Sequence, residues 1–159
     1  MSKAQREINS KIGPMFLVAS AEVLYGIFWK DQKIEKEKLN SRESKMLDKV
    51  ERQITEYLDG KRKDFDIPLE LEGTAFQKQV WAQLCKIPYG ETRSYKDIAK
   101  KLKDTNASRA VGTANGKNPI SLIVPCHRVI ASNGTLAGYA GGISIKEKLL
   151  SLEKGQKLK

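Results

Sequence analysis

Charge is distributed unevenly along this chain of 159 residues. Residues 1–73 contain 14 basic and 14 acidic side chains, whereas residues 74–159 contain 15 basic and 5 acidic ones and so carry the whole net charge of +10. The length suits one domain or two small ones, and the change at Gly73 predicts domains over 1–72 and 73–159. Clustered Lys and Arg bind a phosphate backbone by releasing its counterions, so the second domain is expected to bind a polyanion. The alternative is a merely solubilising surface.

Composition argues against several classes of protein. Mean hydropathy is −0.49, and no apolar run approaches the roughly twenty residues that a membrane-spanning helix needs. The opening MSKAQREINSK is too polar for a signal peptide. Two cysteines and one histidine, without a CxxC pair, argue against a disulfide framework and a structural zinc site. We therefore expect a cytoplasmic protein with no membrane contact and no bound metal.

The first half has the pattern of a small α/β unit. Two short runs rich in β-branched and aromatic residues, 15–20 and 25–30, predict a pair of strands, as in a hairpin. Apolar residues at spacings of three and four then predict a helix from Ser41, as N-cap, to about Leu58. An extended segment follows over 65–71, where a proline favours a sheet edge. The scattered carboxylates of this half indicate a solvated surface and no chemistry.

Three helices are predicted at the start of the second half. Thr74 is a candidate N-cap for a helix to about Cys85, and Ser94 for one to about Lys103. The turn KDTNAS precedes a third stretch over 108–116. Two short helices joined by a turn resemble a helix-turn-helix, and the positive charge of this half then favours DNA binding.

The third stretch, SRAVGTANG, is unusually poor in bulky side chains. It contains two glycines in nine residues, and each glycine costs a helix up to about 1 kcal/mol relative to alanine. Close approach to another backbone or surface would compensate for that cost. The surface is either another helix or the wall of the narrow minor groove of DNA. Arg109 is the one large cation at its start and could reach into the base stack.

Reactive residues interrupt an apolar run near the end of the chain. ISLIV at 120–124 is typical of a strand, which PCHR interrupts and which resumes at 129–130. Cys126 stands beside the only histidine of the chain, His127, and Arg128 follows. Positive neighbours favour a thiolate, so Cys126 is the candidate nucleophile. Cys85, within a helix, is interpreted as inert packing.

The imidazole needs an acidic partner to orient it and stabilise its cation. Because adjacent side chains of an extended chain point to opposite sides, we expect His127 to take the Cys126 proton through a water. Five acidic residues follow Gly73. Three of them, Glu91, Asp97 and Asp104, are expected in turns or on helix surfaces, and two lie on the predicted last helix, Glu147 and Glu153. Glu153 is our choice, although spacing alone leaves the others open.

Several spaced motifs match one family. The run PCHRVI at 125–130 is preceded by RAVGxAxxxNP at 109–119 and IPYGETRSYKDIA at 87–99, and followed by GYAGG at 138–142 and LLxLE at 149–153. These blocks closely resemble the O6-alkylguanine-DNA alkyltransferases, also called methylated-DNA–cysteine methyltransferases, over residues 74–154. The resemblance implies an α/β (α+β) protein. A small ribonuclease-H-like α/β domain would precede a mostly helical, winged helix-turn-helix-like domain with the active-site cysteine.

The resemblance also implies a repair protein that its own reaction consumes. Cys126 would take the alkyl group from guanine O6 and keep it as a thioether without any cofactor. His127 would be the water-linked base, Glu153 its partner, and Tyr95 the donor to guanine N3. This accords with the residues, because a soft thiolate suits attack on saturated carbon and guanine leaves more readily when donors meet its developing charge.

Further residues of the resemblance concern the pocket. Asn118 would tie the turn between the recognition helix and the active-site strand. The loop over 136–141 would close the pocket with Tyr139 as an apolar wall. Main-chain groups near Val129, and near Ala140 and Gly141 in that loop, would read the edges of the base.

Double-stranded DNA is the expected partner, bound through the minor groove with little sequence preference. A base inside a duplex is unreachable, so the lesion must flip out, and Arg109 would fill the vacated stack. The remaining residues expected to face the groove are small or polar: Ser108, Ala110, Gly112, Thr113, Asn115 and Gly116. No sequence motif indicates an oligomer, so we expect a monomer.

Two other functions are compatible with the same residues. A winged helix-turn-helix regulator would bind DNA by sequence, with Cys126 as packing or as a redox sensor. A thiol hydrolase built on Cys126 and His127 would turn over, unlike a protein that is alkylated once.

Overall fold

The structure is a computed structural model that describes residues 2–136 and 138–159. Ala137, within the predicted loop over 136–141, lies outside the described residues. The chain divides into two compact units, Met1–Leu71 with Lys157–Lys159, and Glu72–Gln156. Among the described residues, no helix combines the length and the apolar character that crossing a bilayer requires.

The N-terminal unit is built on a three-stranded antiparallel sheet. Strands β1 (Ala4–Ser10), β2 (Gly13–Ala19) and β3 (Leu24–Phe28) lie in the order β1-β2-β3. The predicted hairpin corresponds to β2 and β3. Sequence analysis missed β1, whose centre is polar and whose Arg6 is compensated by carboxylates distant in the sequence.

One helix covers this sheet. Helix α1 (Arg42–Leu58) packs on β1 and β2, and Ser41 caps it by accepting a hydrogen bond from the Ser44 N–H. Its buried apolar face follows the predicted three-and-four spacing: Leu47, Val50, Ile54, Tyr57 and Leu58. The predicted edge segment is also present, since Leu69 forms a parallel bridge with Leu24 and the Pro68 carbonyl accepts from the Leu24 N–H.

The C-terminal unit begins with three packed helices. Helices α2 (Ala75–Leu84), α3 (Tyr95–Lys101) and α4 (Ser108–Gly116) agree with the predicted ones to within about two residues. Thr74 and Ser94 each form a capping box, because the side chain three residues later bonds back to the cap. Helix α4 packs on both α2 and α3. The last helix, α5 (Ile143–Glu153), follows the reactive run.

The predicted strand over 120–124 is wrong, because this segment is a turn. The Val124 N–H donates to the Ile120 carbonyl at 3.0 Å. The Asn118 side chain holds both ends, since its Oδ1 accepts from the Ile120 N–H at 3.0 Å and its Nδ2 donates to the Val124 carbonyl at 2.7 Å. Leu122, with φ of 73°, takes the left-handed conformation. The run over 120–124 is apolar because the turn is buried in the core.

The reactive residues are not in an extended segment either. Cys126–Arg128 forms a single 3-10 turn, and only then does the chain enter β5 (Val129–Ile130). This strand pairs in parallel with β4 (Arg93–Ser94), at the start of α3. The 3-10 turn therefore lies between the Asn118-tied turn and a strand joined to the helical part of the unit.

Candidate active site

Cys126 is buried at the start of the 3-10 turn, and its side chain faces polar groups. Its carbonyl accepts a hydrogen bond from Asn115 Nδ2 at 3.3 Å. Burial raises the pKa of the Cys126 thiol to about 11, against smaller opposite effects from the Asn118 side chain and the Lys146 charge. The prediction of a thiolate stabilised by its neighbours is therefore wrong for the resting protein. Burial outweighs the favourable neighbours, and the Arg128 side chain is bonded to Glu153.

His127 and Glu153 meet in the interior. The imidazole Nε2 lies 2.7 Å from Glu153 Oε2, and both side chains are almost fully buried. Because a carboxylate only accepts, Nε2 is the donor and Nδ1 is the acceptor of the neutral ring. Burial lowers the pKa of His127, although Glu153 opposes this effect. The ring is thus neutral near pH 7, oriented, and able to accept a proton at Nδ1.

Arg128 completes this pair in a way that sequence analysis did not foresee. Its Nε donates to Glu153 Oε1 at 2.8 Å and its Nη2 to Oε2 at 3.0 Å. Its Nη1 donates to the Ile87 carbonyl at 2.8 Å, and the Gly90 N–H donates to Glu153 Oε1 at 3.2 Å. Both carboxylate oxygens are therefore held at two points each, and the segment over 87–90 is tied to the site.

Lys146 is a second buried cation that the pattern did not single out. It lies on α5, and its Nζ donates to the Val129 carbonyl at 2.6 Å. Burial lowers its pKa, while interaction with Cys126 raises it. Of the main-chain groups near Val129 that are expected to read a base, the Val129 carbonyl therefore already accepts a bond from Lys146. No sequence signal distinguishes this lysine beyond its position among apolar residues of the last helix.

Two tyrosines flank Cys126. Tyr95, at the start of α3, is half-buried, and both burial and the nearby Cys126 raise its pKa. Tyr139 is buried, and the same two causes raise its pKa well above the usual value. The pocket loop approaches the first of them closely, since a Cβ at Gly138 would lie 3.2 Å from Tyr95 Oη. Ala140 is exposed and Gly141 half-buried beside it.

Helix α4 presents one small and partly cationic face to solvent. Its exposed residues include Arg109, and its half-buried ones include Gly112, where a Cβ would lie 3.8 Å from the Tyr95 ring. The others on this face are Ser108, Ala110, Thr113 and Gly116. Asn115 does not belong to it, and its prediction as a groove-facing residue is wrong: its side chain is 1% exposed and points inward to Cys126.

The folded chain thus brings Cys126, Asn118, Tyr95 and Tyr139 together and places the His127–Glu153 pair next to them along the 3-10 turn. Family models match both units: "6-O-methylguanine DNA methyltransferase, DNA binding domain" over residues 75–155, and the "ribonuclease-like domain" of the same family over 6–71.

The chain belongs to this family, the methylated-DNA–protein-cysteine methyltransferases.

Relatives match nearly the whole length. The chain is 49% identical to the methylated-DNA–protein-cysteine methyltransferase of Methanosarcina mazei over 92% of this chain and 94% of that protein. It is 45% identical to that of Mycobacterium tuberculosis over 95% of this chain and 92% of the other. Among solved structures, Mycobacterium tuberculosis OGT in complex with DNA superposes with a TM-score of 0.86 at 42% identity, covering 97% of this chain and 94% of that one. The two-unit α/β fold implied by the motifs is confirmed.

Proposed function

We propose that this chain repairs DNA by moving the alkyl group of O6-alkylguanine in a duplex onto Cys126, once per molecule. Its relatives are methylated-DNA–protein-cysteine methyltransferases, and one similar protein has been solved with DNA. The observation that carries the assignment of the acceptor is local. Cys126 is buried next to a histidine whose Nε2 is held by a buried carboxylate at 2.7 Å.

The first step makes the nucleophile. With Nε2 donating to Glu153, the thiol proton of Cys126 passes through a bridging water to Nδ1 of His127, and Glu153 stabilises the resulting imidazolium. The thiol is protonated at rest because burial raises its pKa to about 11. We therefore expect the thiolate to form only as transfer begins, which keeps an idle protein unreactive.

The second step exchanges two bonds. The sulfur of Cys126 bonds to the alkyl carbon while the carbon–O6 bond breaks, and the electron pair leaves on the guanine. Tyr95 donates a proton to guanine N3, so the leaving base departs neutral. Tyr95 afterwards regains a proton from the imidazolium through solvent. The thioether at Cys126 is stable and no step returns it to the thiol, so each molecule reacts once.

The α4 face supports minor-groove binding. Small side chains permit close approach of a helix to a narrow groove, and Arg109 stands exposed at its start. Flipping the lesion costs a few kcal/mol, which Arg109 offsets by filling the stack. Ser108, Ala110, Gly112, Thr113 and Gly116 line the rest of the contact.

The pocket loop completes recognition of the base. Tyr139 forms an apolar wall beside Cys126, and main-chain groups near Val129, Ala140 and Gly141 face the base edge. Asn118 keeps the turn before Cys126 in register, as its two bonds to main-chain groups support. We expect a monomer that acts with little sequence preference in the cytoplasm.

Intact mass spectrometry tests the reaction. After incubation with excess duplex containing O6-methylguanine, the protein should gain the mass of one methyl group in place of one hydrogen and then stop. Cys126→Ala should gain nothing while its affinity for DNA is kept, and Cys85→Ala is the matched control that should react as the wild type does. Catalytic turnover with an unmodified protein would establish a hydrolase instead.

DNA binding is tested separately. Arg109→Ala should slow repair of duplex more than reaction with the free alkylguanine base, and equal slowing of both would remove the role of filling the stack. Affinity for two unrelated duplexes should be similar and should fall steeply with salt. A strong preference for one sequence would favour the regulator.

A further inference from the structure

The proposed steps leave unused one buried side chain of the site that makes several hydrogen bonds, Arg128. Arg128 is 9% exposed and makes three hydrogen bonds, two to Glu153 and one to the Ile87 carbonyl. Its guanidinium carbon lies 5.7 Å from the centroid of the Tyr89 ring. These contacts restrict the guanidinium on several sides. An arginine that served only to fill space would not need a two-point contact with the carboxylate that holds His127.

The geometry of this contact decides what it can do. A guanidinium presents parallel N–H groups that fix the plane of a carboxylate, whereas an ammonium acts as a point charge. Without Arg128, the bonds from His127 Nε2 and from the Gly90 N–H, one to each oxygen, would hold the plane of the Glu153 carboxylate less firmly. With Arg128 in place, Oε2 is kept at 2.7 Å from His127 Nε2.

The charge of Arg128 has a second consequence. The charged groups facing His127 are Glu153 and Lys146 from α5 and Arg128 from its own turn; Cys85, at the end of α2, faces Arg128. Glu153 favours a protonated ring, whereas both cations oppose it. Because Arg128 bonds directly to Glu153, it takes up part of the negative charge that would otherwise act on the ring alone.

We propose that Arg128 is a positioning residue that fixes the Glu153 carboxylate toward His127 and shares its charge, so that the imidazole remains neutral and ready to accept the thiol proton. The consequence for alkyl transfer rests on the proposed function of Cys126 and His127. The effect on the imidazole does not, and it can be measured without DNA.

The single histidine of the chain makes that measurement direct. In an NMR titration of the DNA-free protein, the ring signals of His127 report its own midpoint. We expect Arg128→Met to raise this midpoint by about one pH unit or more, because a neighbouring positive charge has been removed. Arg128→Lys keeps a cation without the fork and should give a smaller rise. Arg93→Met, in the same unit but paired with Glu91, should leave the midpoint unchanged.

Single-turnover transfer on O6-methylguanine duplex gives the second readout. The rate–pH profile of Arg128→Met should move to higher pH with the NMR midpoint, and at pH values below both midpoints the rate should fall about tenfold for each unit of that shift. If Arg128→Met does not fold, Arg128→Lys against wild type decides, with a slower rate and a displaced midpoint expected. An unmoved midpoint in a folded Arg128 variant would overturn the proposal. A moved midpoint in a protein whose wild type transfers nothing would overturn the proposed function alone.

Discussion

Two mostly buried arginines, one in each unit, are paired with carboxylates in different ways. In the N-terminal unit Arg6 contacts three partly exposed carboxylates: Glu37, Asp48 and Glu51. In the C-terminal unit Arg128 has one carboxylate, Glu153, which is 1% exposed and is shared with His127. The first arrangement is redundant and joins strand β1 to helix α1. In the second, the carboxylate that binds Arg128 also binds His127, so a change at Glu153 reaches the imidazole.

The largest effect is expected where the shared carboxylate is neutralised. Glu153→Gln leaves Arg128 buried without its counter-charge and removes the group that stabilises the imidazolium. Transfer should slow at least about 100-fold, and the free energy of unfolding should fall by about 3 kcal/mol. Single-turnover kinetics and chemical denaturation measure the two quantities. Glu147→Gln, exposed on the same helix, is the control, and equal behaviour of the two variants would contradict the account.

Lowering the pH should inactivate the His127–Glu153–Arg128 cluster without any mutation. Burial lowers the pKa of His127 below its ordinary value of 6.5, so the ring is neutral and able to accept a proton above that lowered pKa. The transfer rate should be level near neutral pH and should fall about tenfold per pH unit once the pH is below that lowered pKa. Stability should also decrease as pH falls below 6.5, because the unfolded chain binds this proton more tightly. Single-turnover rates across this range check the sign, and a rate that rises in acid would exclude His127 as the base.

A moderate effect, on stability alone, is expected from the redundant cluster. Arg6→Met removes the cation from three carboxylates that water can still reach, so the free energy of unfolding should fall by about 1–2 kcal/mol. Transfer per folded molecule should not change. Denaturation and single-turnover assays on the same preparation measure both. A loss of transfer as large as that of Glu153→Gln would mean that the two clusters do not differ as described.

The smallest effect should come from one member of that cluster. Glu51 is 45% exposed, and Arg6 keeps two other carboxylates without it. Glu51→Gln should change the free energy of unfolding by less than about 0.5 kcal/mol. A loss above about 2 kcal/mol in the same denaturation experiment would show that the cluster is not redundant.

Local signals made most of the fold predictable. Ser41, Thr74 and Ser94 each mark a helix start, and the spacing of apolar residues gives each length, because caps and periodicity depend on neighbours in the sequence. Strand β1 was missed because the partners of Arg6 lie 31 to 45 residues away. The turn over 120–124 was missed because burial makes turn and strand alike in composition.

The residues of the site were easier to predict than the hydrogen bonds between them. His127 and Glu153 were paired in advance, and the structure brings them together. Arg128 was expected to act on Cys126 because it is near in sequence, yet the 3-10 turn directs it to Glu153. Lys146 gave no signal because it is one of 29 basic residues, and only burial distinguishes it.

The most direct test of the central claim is to locate the transferred group. The chain contains one exposed and one buried cysteine, Cys85 and Cys126, so indiscriminate alkylation would favour Cys85. After reaction with duplex carrying O6-methylguanine, peptide mapping by mass spectrometry should find S-methylcysteine at position 126 alone. Methyl on Cys85, or on neither cysteine while the lesion disappears, would contradict the account.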